Sequence, residues 1–111
     1  MRSVQVQFTI DDLIHGEAIA SELLEEHLVA CAQAVGPVTS RYWWNGSIQQ
    51  TDEWLFLCKT TPGRVDEVIA HIRRRHPYDV PEIISIDIGA AYEPYVDWIV
   101  AETHPPRAAR S

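Results

Sequence analysis

The sequence predicts an α+β domain: an antiparallel sheet, two crossover helices on one of its faces, and a further helix at the C-terminal end. Three observations carry the prediction. Residues 3 to 9, SVQVQFT, alternate polar and apolar, the period of a half-buried strand. Asn45-Gly46 stands between two apolar-rich runs, the strongest short signal for a hairpin because both residues accept positive φ. Val65, Val68, Ile69 and Ile72 then repeat at i, i+3, i+4 and i+7, one face of a helix.

Taken in order, Val4, Val6 and Phe8 define the inner face of the first strand, and Asp11 or Asp12 can cap the helix that follows. In that helix Ile19, Ala20, Leu23, Leu24 and Leu28 share a face, and Gly16 weakens the first turns. Gly36-Pro37 interrupts the first arm of the hairpin and predicts a bend or bulge. The second arm carries Trp54-Leu55-Phe56-Leu57-Cys58, apolar on both faces. An antiparallel strand with one solvated face would alternate, so something must cover both sides, and subunit association is the natural supplier. Thr61 and Pro62 suit the cap and first position of the next helix. Pro77 ends that helix near His76. Ile84, Ile86 and Ile88 face one way in the last strand, and Tyr92, Val96, Ile99 and Val100 form the apolar face of the final helix. The order β-α-β-β-α-β-α is a ferredoxin-like split βαβ with an added helix, one domain over 1–111 with a loose tail over about 104–111.

The 111 residues carry a formal charge of −7, which repels phosphate backbones and argues against nucleic acid as a partner. Arg73-Arg74-Arg75 suits a helix C-terminus. No apolar run approaches the length of a membrane span, and the first residues lack a signal-peptide core. The expected compartment is the cytoplasm, where the two cysteines, Cys31 and Cys58, would stay reduced.

No constellation declares an enzyme. There is no glycine-rich phosphate loop and no nucleophile elbow. Copper and zinc favour Cys and His, and the chain offers Cys31, Cys58 and five scattered histidines, His76 among them, as possible ligands. The five histidines show no i, i+4 pair. Tyr42, Trp43, Trp44 and Trp54 crowd the hairpin. Adjacent Trp43 and Trp44 point to opposite faces of a strand, so one should meet a ligand or another subunit.

Several separated segments resemble the CutA family of divalent-cation tolerance proteins. They are Ala30-Cys31, the run from Val38 to Gly46, Lys59-Thr60, the run from His76 to Ile84, and Tyr95 to Trp98. The resemblance implies a compact homotrimer, PII-like in architecture, with a role in tolerance to divalent metals. It needs no resident cofactor, and copper or another divalent cation is its candidate ligand. It also implies a pocket between subunits built from Tyr42, Trp44, Lys59, Tyr78 and Glu82, beside His76. Phe8 and Arg75 stand where copper-binding members carry a cysteine and a second histidine, which leaves His76 alone. The alternative reading is a PII-like signalling module that holds a small metabolite between subunits.

Overall fold

In the computed structural model, which describes residues 2–104, β1 spans Ser3–Ile10. Val4, Val6, Phe8 and Ile10 are all buried, as the alternation predicted. The tail expected over 104–111 falls, but for His104, outside the described residues.

Asp12 caps α1 (Leu13–Glu25): its Oδ1 accepts the N–H groups of Ile14 and His15 at 3.0 and 3.2 Å, satisfying two donors that a helix start leaves free. Gly16 does more than weaken the first turns. It is buried, and a Cβ there would lie 2.3 Å from Phe56 Cε1. The helix comes this close to the sheet because the position has no side chain. At the far end His27 takes φ 56°. Leu28 N–H donates to Leu23 O and His27 N–H to Leu24 O, both at 3.0 Å, the Schellman arrangement with histidine where glycine is usual.

β2 (Cys31–Trp44) and β3 (Ser47–Thr60) form the predicted hairpin. Asn45 and Gly46 have φ 51° and 78°, which a type I′ turn requires. The Gly36-Pro37 interruption is a bulge, since the register steps from Val35↔Leu55 to Val38↔Glu53. A 3₁₀ turn, Pro62–Arg64, precedes α2 (Val65–Arg75). The expected Thr61 cap does not form. Its backbone is extended, but its hydroxyl lies 3.3 Å from that of Thr103 and makes no bond to the helix start. α2 buries Val68, His71 and Ile72 and ends at His76, where Pro77 holds the preceding residue in an extended conformation. β4 (Ile83–Ile88) and α3 (Glu93–Thr103) complete the chain.

The antiparallel sheet has the order β2-β3-β1-β4, the ferredoxin-like arrangement. α1 and α2 cover one face over a core of Phe8, Phe56, Ile19, Leu23, Val68 and Ile72. The other face carries Gln5, Gln7, Leu55, Leu57, Ile84 and Ile86, which pair across the strands and so share a side. Ile84 and Ile86 point outward there, 44% and 45% exposed, while Ile83 packs on the core. The double-sided character of residues 54 to 58 follows. Phe56 and Cys58 meet the helices, and Leu55 and Leu57 stay half-buried on the open face. The hydroxyl of Tyr95 lies 3.6 Å from Cys31 Sγ, which sets α3 at the Ser3–Cys31 end of that face. Tyr92 was expected on the apolar face of α3; it lies just before the helix and is 77% exposed, because the chain turns into Pro94 there.

Pairing with β1 reaches only as far as Trp54. Beyond it, Val38–Trp44 and Ser47–Glu53 pair with each other alone and project as a two-stranded arm.

Candidate functional site

The arm and the segment from Tyr78 to Glu82 enclose a cleft of about 720 Å³. Counting outward from the turn places Val38, Ser40, Tyr42 and Trp44 on one side of β2, opposite Glu53, Thr51, Gln49 and Ser47 of β3. Tyr42 Oη and Thr51 Oγ1 are 2.7 Å apart, a bond that holds the ring along the arm. Thr9 closes the inner end, and Glu82 and Asp79 stand on the far wall.

Pro77 sends the chain back across the end of β1, and His76 anchors it. His76 is buried; its Nε2–H donates to Thr9 O at 2.7 Å, and its Nδ1 accepts the Tyr78 N–H at 3.2 Å. A carbonyl can only accept and a backbone N–H can only donate, so the partners fix the neutral tautomer with the proton on Nε2. Burial, the largest influence, holds the His76 pKa below its ordinary value. The Tyr78 ring packs edge-on to His76, with centroids 4.5 Å apart. Its hydroxyl donates to Glu53 Oε2 at 2.9 Å. Burial first, and the Glu53 carboxylate second, raise the Tyr78 pKa well above the usual phenol range, so the phenol remains a donor.

Tyr42, Trp44, Tyr78 and Glu82 therefore meet at one cleft, and His76 supports it from behind. Both ring nitrogens of His76, expected as a metal ligand, are engaged within the chain, Nε2 with Thr9 O and Nδ1 with the Tyr78 N–H. Cys31 and Lys59 lie elsewhere. They pair with each other, and Lys59 pairs on its other side with Gln5, four residues along the sheet from Thr9, or about 13 Å at strand rise. Lys59 Nζ donates to Gln33 Oε1 at 3.2 Å. Cys58 points into the core, opposite in face to Cys31, and burial pushes its thiol up to about 12. Among the described residues no group of three or more His, Cys, Asp or Glu side chains is gathered to hold a metal.

Glu53 was not anticipated. Only 5% exposed, it is a buried carboxylate that faces the cleft. The signal was present: counting seven positions on from Gly46 in a two-residue hairpin puts it opposite Val38, on the side of Tyr42 and Trp44.

Residues 4–102 match the family model described as CutA1 divalent ion tolerance protein. The divalent-cation tolerance protein CutA of Pyrococcus horikoshii is 37% identical over 98 residues, which cover 88% of this chain and 95% of that one. The chloroplastic CutA 1 protein of Oryza sativa is 33% identical over 101 residues, 91% of this chain but 57% of the plant protein. The chain thus spans little more than half the length of that relative. Among solved structures, CutA1 from Oryza sativa superimposes with a TM-score of 0.90 at 31% identity, covering 96% of this chain and 97% of that one. CutA from Xylella fastidiosa gives 0.88 at 32%, covering 91% and 97%. Relatives are named as chloroplastic and, in Archaeoglobus fulgidus, as periplasmic, so the family name alone does not assign a compartment. With the sheet order, the long hairpin and the His76–Glu82 segment all matched along nearly its whole length, the chain belongs to the CutA1 divalent ion tolerance family.

Proposed function

We propose that the chain acts as a non-enzymatic, cytoplasmic homotrimer in tolerance to divalent cations, with the cleft as a ligand site at the seam between subunits. The arm carries this reading. A two-stranded ribbon is marginal alone in water, yet this one exposes Trp43 at 72%, Ile48 at 55%, Trp44 at 43% and Tyr42 at 41%. Val35, Ile84 and Ile86 extend the apolar surface over the open face, a combination that marks an interaction site. Packing arms and open faces of three copies together would cover both. Lys59 would join the cleft only from a neighbouring subunit.

Copper fits the predicted pair poorly. The nitrogens of His76 are engaged and Cys31 stands apart, which weighs against a resident copper held by those two residues. A phosphate-bearing metabolite, as a PII-like signalling role suggests, meets Glu53, Asp79 and Glu82 around Arg41, a balance that repels anions. Sedimentation equilibrium tests the assembly: a species of three times the 12.6 kDa chain mass is expected, and a stable monomer refutes the reading. Calorimetry with copper(II) tests the ligand argument. His76→Gln should leave any copper binding unchanged, and its loss in that variant alone would restore His76 as a ligand.

A further inference from the structure

The charge inside the cleft points to the kind of molecule it takes. Glu53 is 5% exposed. One carboxylate oxygen accepts the Tyr78 hydroxyl at 2.9 Å, and the other has no hydrogen-bond partner among the described residues and opens on the cleft. Arg41 lines the same cleft but forms no ion pair with Glu53. No buried side-chain oxygen is left without a partner among the described residues, so the free oxygen is reachable from the cleft, where an enclosed carboxylate with one neutral donor is matched by a cationic partner. Asp79 and Glu82 line the same cleft and add negative charge, and Tyr42 and Trp44 line it with aromatic rings, a residue type whose faces attract cations through their quadrupoles. A bare metal ion finds too few ligands here: no group of three candidate side chains is gathered among the described residues. The volume of about 720 Å³ suits an organic molecule.

We propose that the cleft binds a small organic cation, a primary ammonium on an apolar body, whose N–H donors meet the open oxygen of Glu53 while its body packs on Tyr42 and Trp44. This rests on the reading of the cleft as a ligand site and names the class of ligand. Two features of the wall support it. The Tyr78 hydroxyl, kept protonated by burial, fixes the carboxylate in place. The register set by the Asn45-Gly46 turn places Glu53 opposite Val38, at the last pair before the bulge, and Glu53 lines the cleft there. A guanidinium from a second copy of the chain is the competing partner for Glu53, and the test separates the two.

The probes are 2-phenylethylammonium, its neutral isostere 2-phenylethanol, and 3-phenylpropionate, titrated by calorimetry into the 111-residue chain, with sedimentation run in parallel. The ammonium is expected to bind about tenfold or more tighter than the alcohol, and the propionate not at all. Glu53→Gln keeps the shape and an acceptor for Tyr78; it should remove that preference without changing the mass of the assembly. Arg41→Gln should leave ammonium binding equal or tighter. Equal binding of ammonium and alcohol would overturn the cation proposal while keeping the cleft as a site. Failure of all three probes on an intact assembly would overturn both. If Glu53→Gln and Arg41→Gln each dissociate the assembly, the partner of Glu53 is protein, and the proposal falls.

Discussion

Gly16→Ala tests how the first helix meets the sheet, and two effects of opposite sign compete in it. In an exposed helix the change would stabilise by about 1 kcal/mol, because alanine loses less backbone entropy than glycine. Here the added methyl would sit 2.3 Å and 2.6 Å from Phe56 Cε1 and Cζ and 2.9 Å from Ile10 Cγ2. The Phe56 ring cannot swing aside. It stacks on Phe8 with centroids 5.0 Å apart and planes 5° from parallel, and Phe56 and Phe8 are 2% and 0% exposed. Overpacking of a filled core costs about 1–3 kcal/mol, and contacts this short belong at the upper end. The net expectation is a loss of about 2 kcal/mol. With a urea slope on the order of 2 kcal/mol per molar, the midpoint should fall by about 1 M at equal protein concentration. Ser21→Ala, on the exposed side of the same helix, is the control and should gain a few tenths of a kcal/mol, roughly the propensity difference. A Gly16→Ala protein as stable as the parent, with an unchanged slope, would refute the close-packing argument.

Acid should loosen the joint between α1 and α2. Arg75 donates to both Glu22 oxygens at 2.9–3.1 Å and His71 Nε2 lies 2.8 Å from Oε1, and these bonds, Arg75 first, lower the Glu22 pKa from 4.5 to about 2. Its contribution is complete above about pH 4.5 and is lost as pH falls toward 2, so Glu22→Gln should show a flatter melting temperature across that window. His76 adds a second slope. Its folded pKa is lowered by burial, so stability falls as pH drops below about 6.5, where the unfolded chain takes up the proton; His76→Gln should remove that part of the pH dependence. Tyr78→Phe strips Glu53 of its hydroxyl donor and should cost about 1–3 kcal/mol in urea denaturation, with the loss shrinking in a Glu53→Gln background.

Much of the fold was legible because it rests on local chemistry. The Asn45-Gly46 turn, the alternation through Phe8 and the stripe from Val65 to Ile72 each fix an element within a few residues. What escaped depended on partners distant in sequence. The Thr61 hydroxyl is drawn off by Thr103. Gly16 looked like a weak helix residue until Phe56 filled the space beside it. Lys59 was expected in a pocket between subunits; within one chain the strand register sets it beside Gln5 and Cys31. His76 was recognisable as a functional residue type, but only its neighbours Thr9 and Tyr78 show that its nitrogens are already taken. Glu53 went unremarked because an acidic residue beside Asp52 reads as solvated surface until the hairpin register is counted out.

The bulge in β2 also limits what the open edge of the sheet can do in a lone chain. β2 is an edge strand of 14 residues, and a free edge of that length invites pairing with any extended chain nearby. Pro37 has no N–H to offer, and the register shift divides the paired residues into Cys31–Val35 and Val38–Trp44. Neither stretch continues the line of the other, so a stray strand that docks on one cannot extend along the second. During synthesis, when nascent copies are crowded and the aromatic arm is bare, this break works against open-ended stacking along the edge.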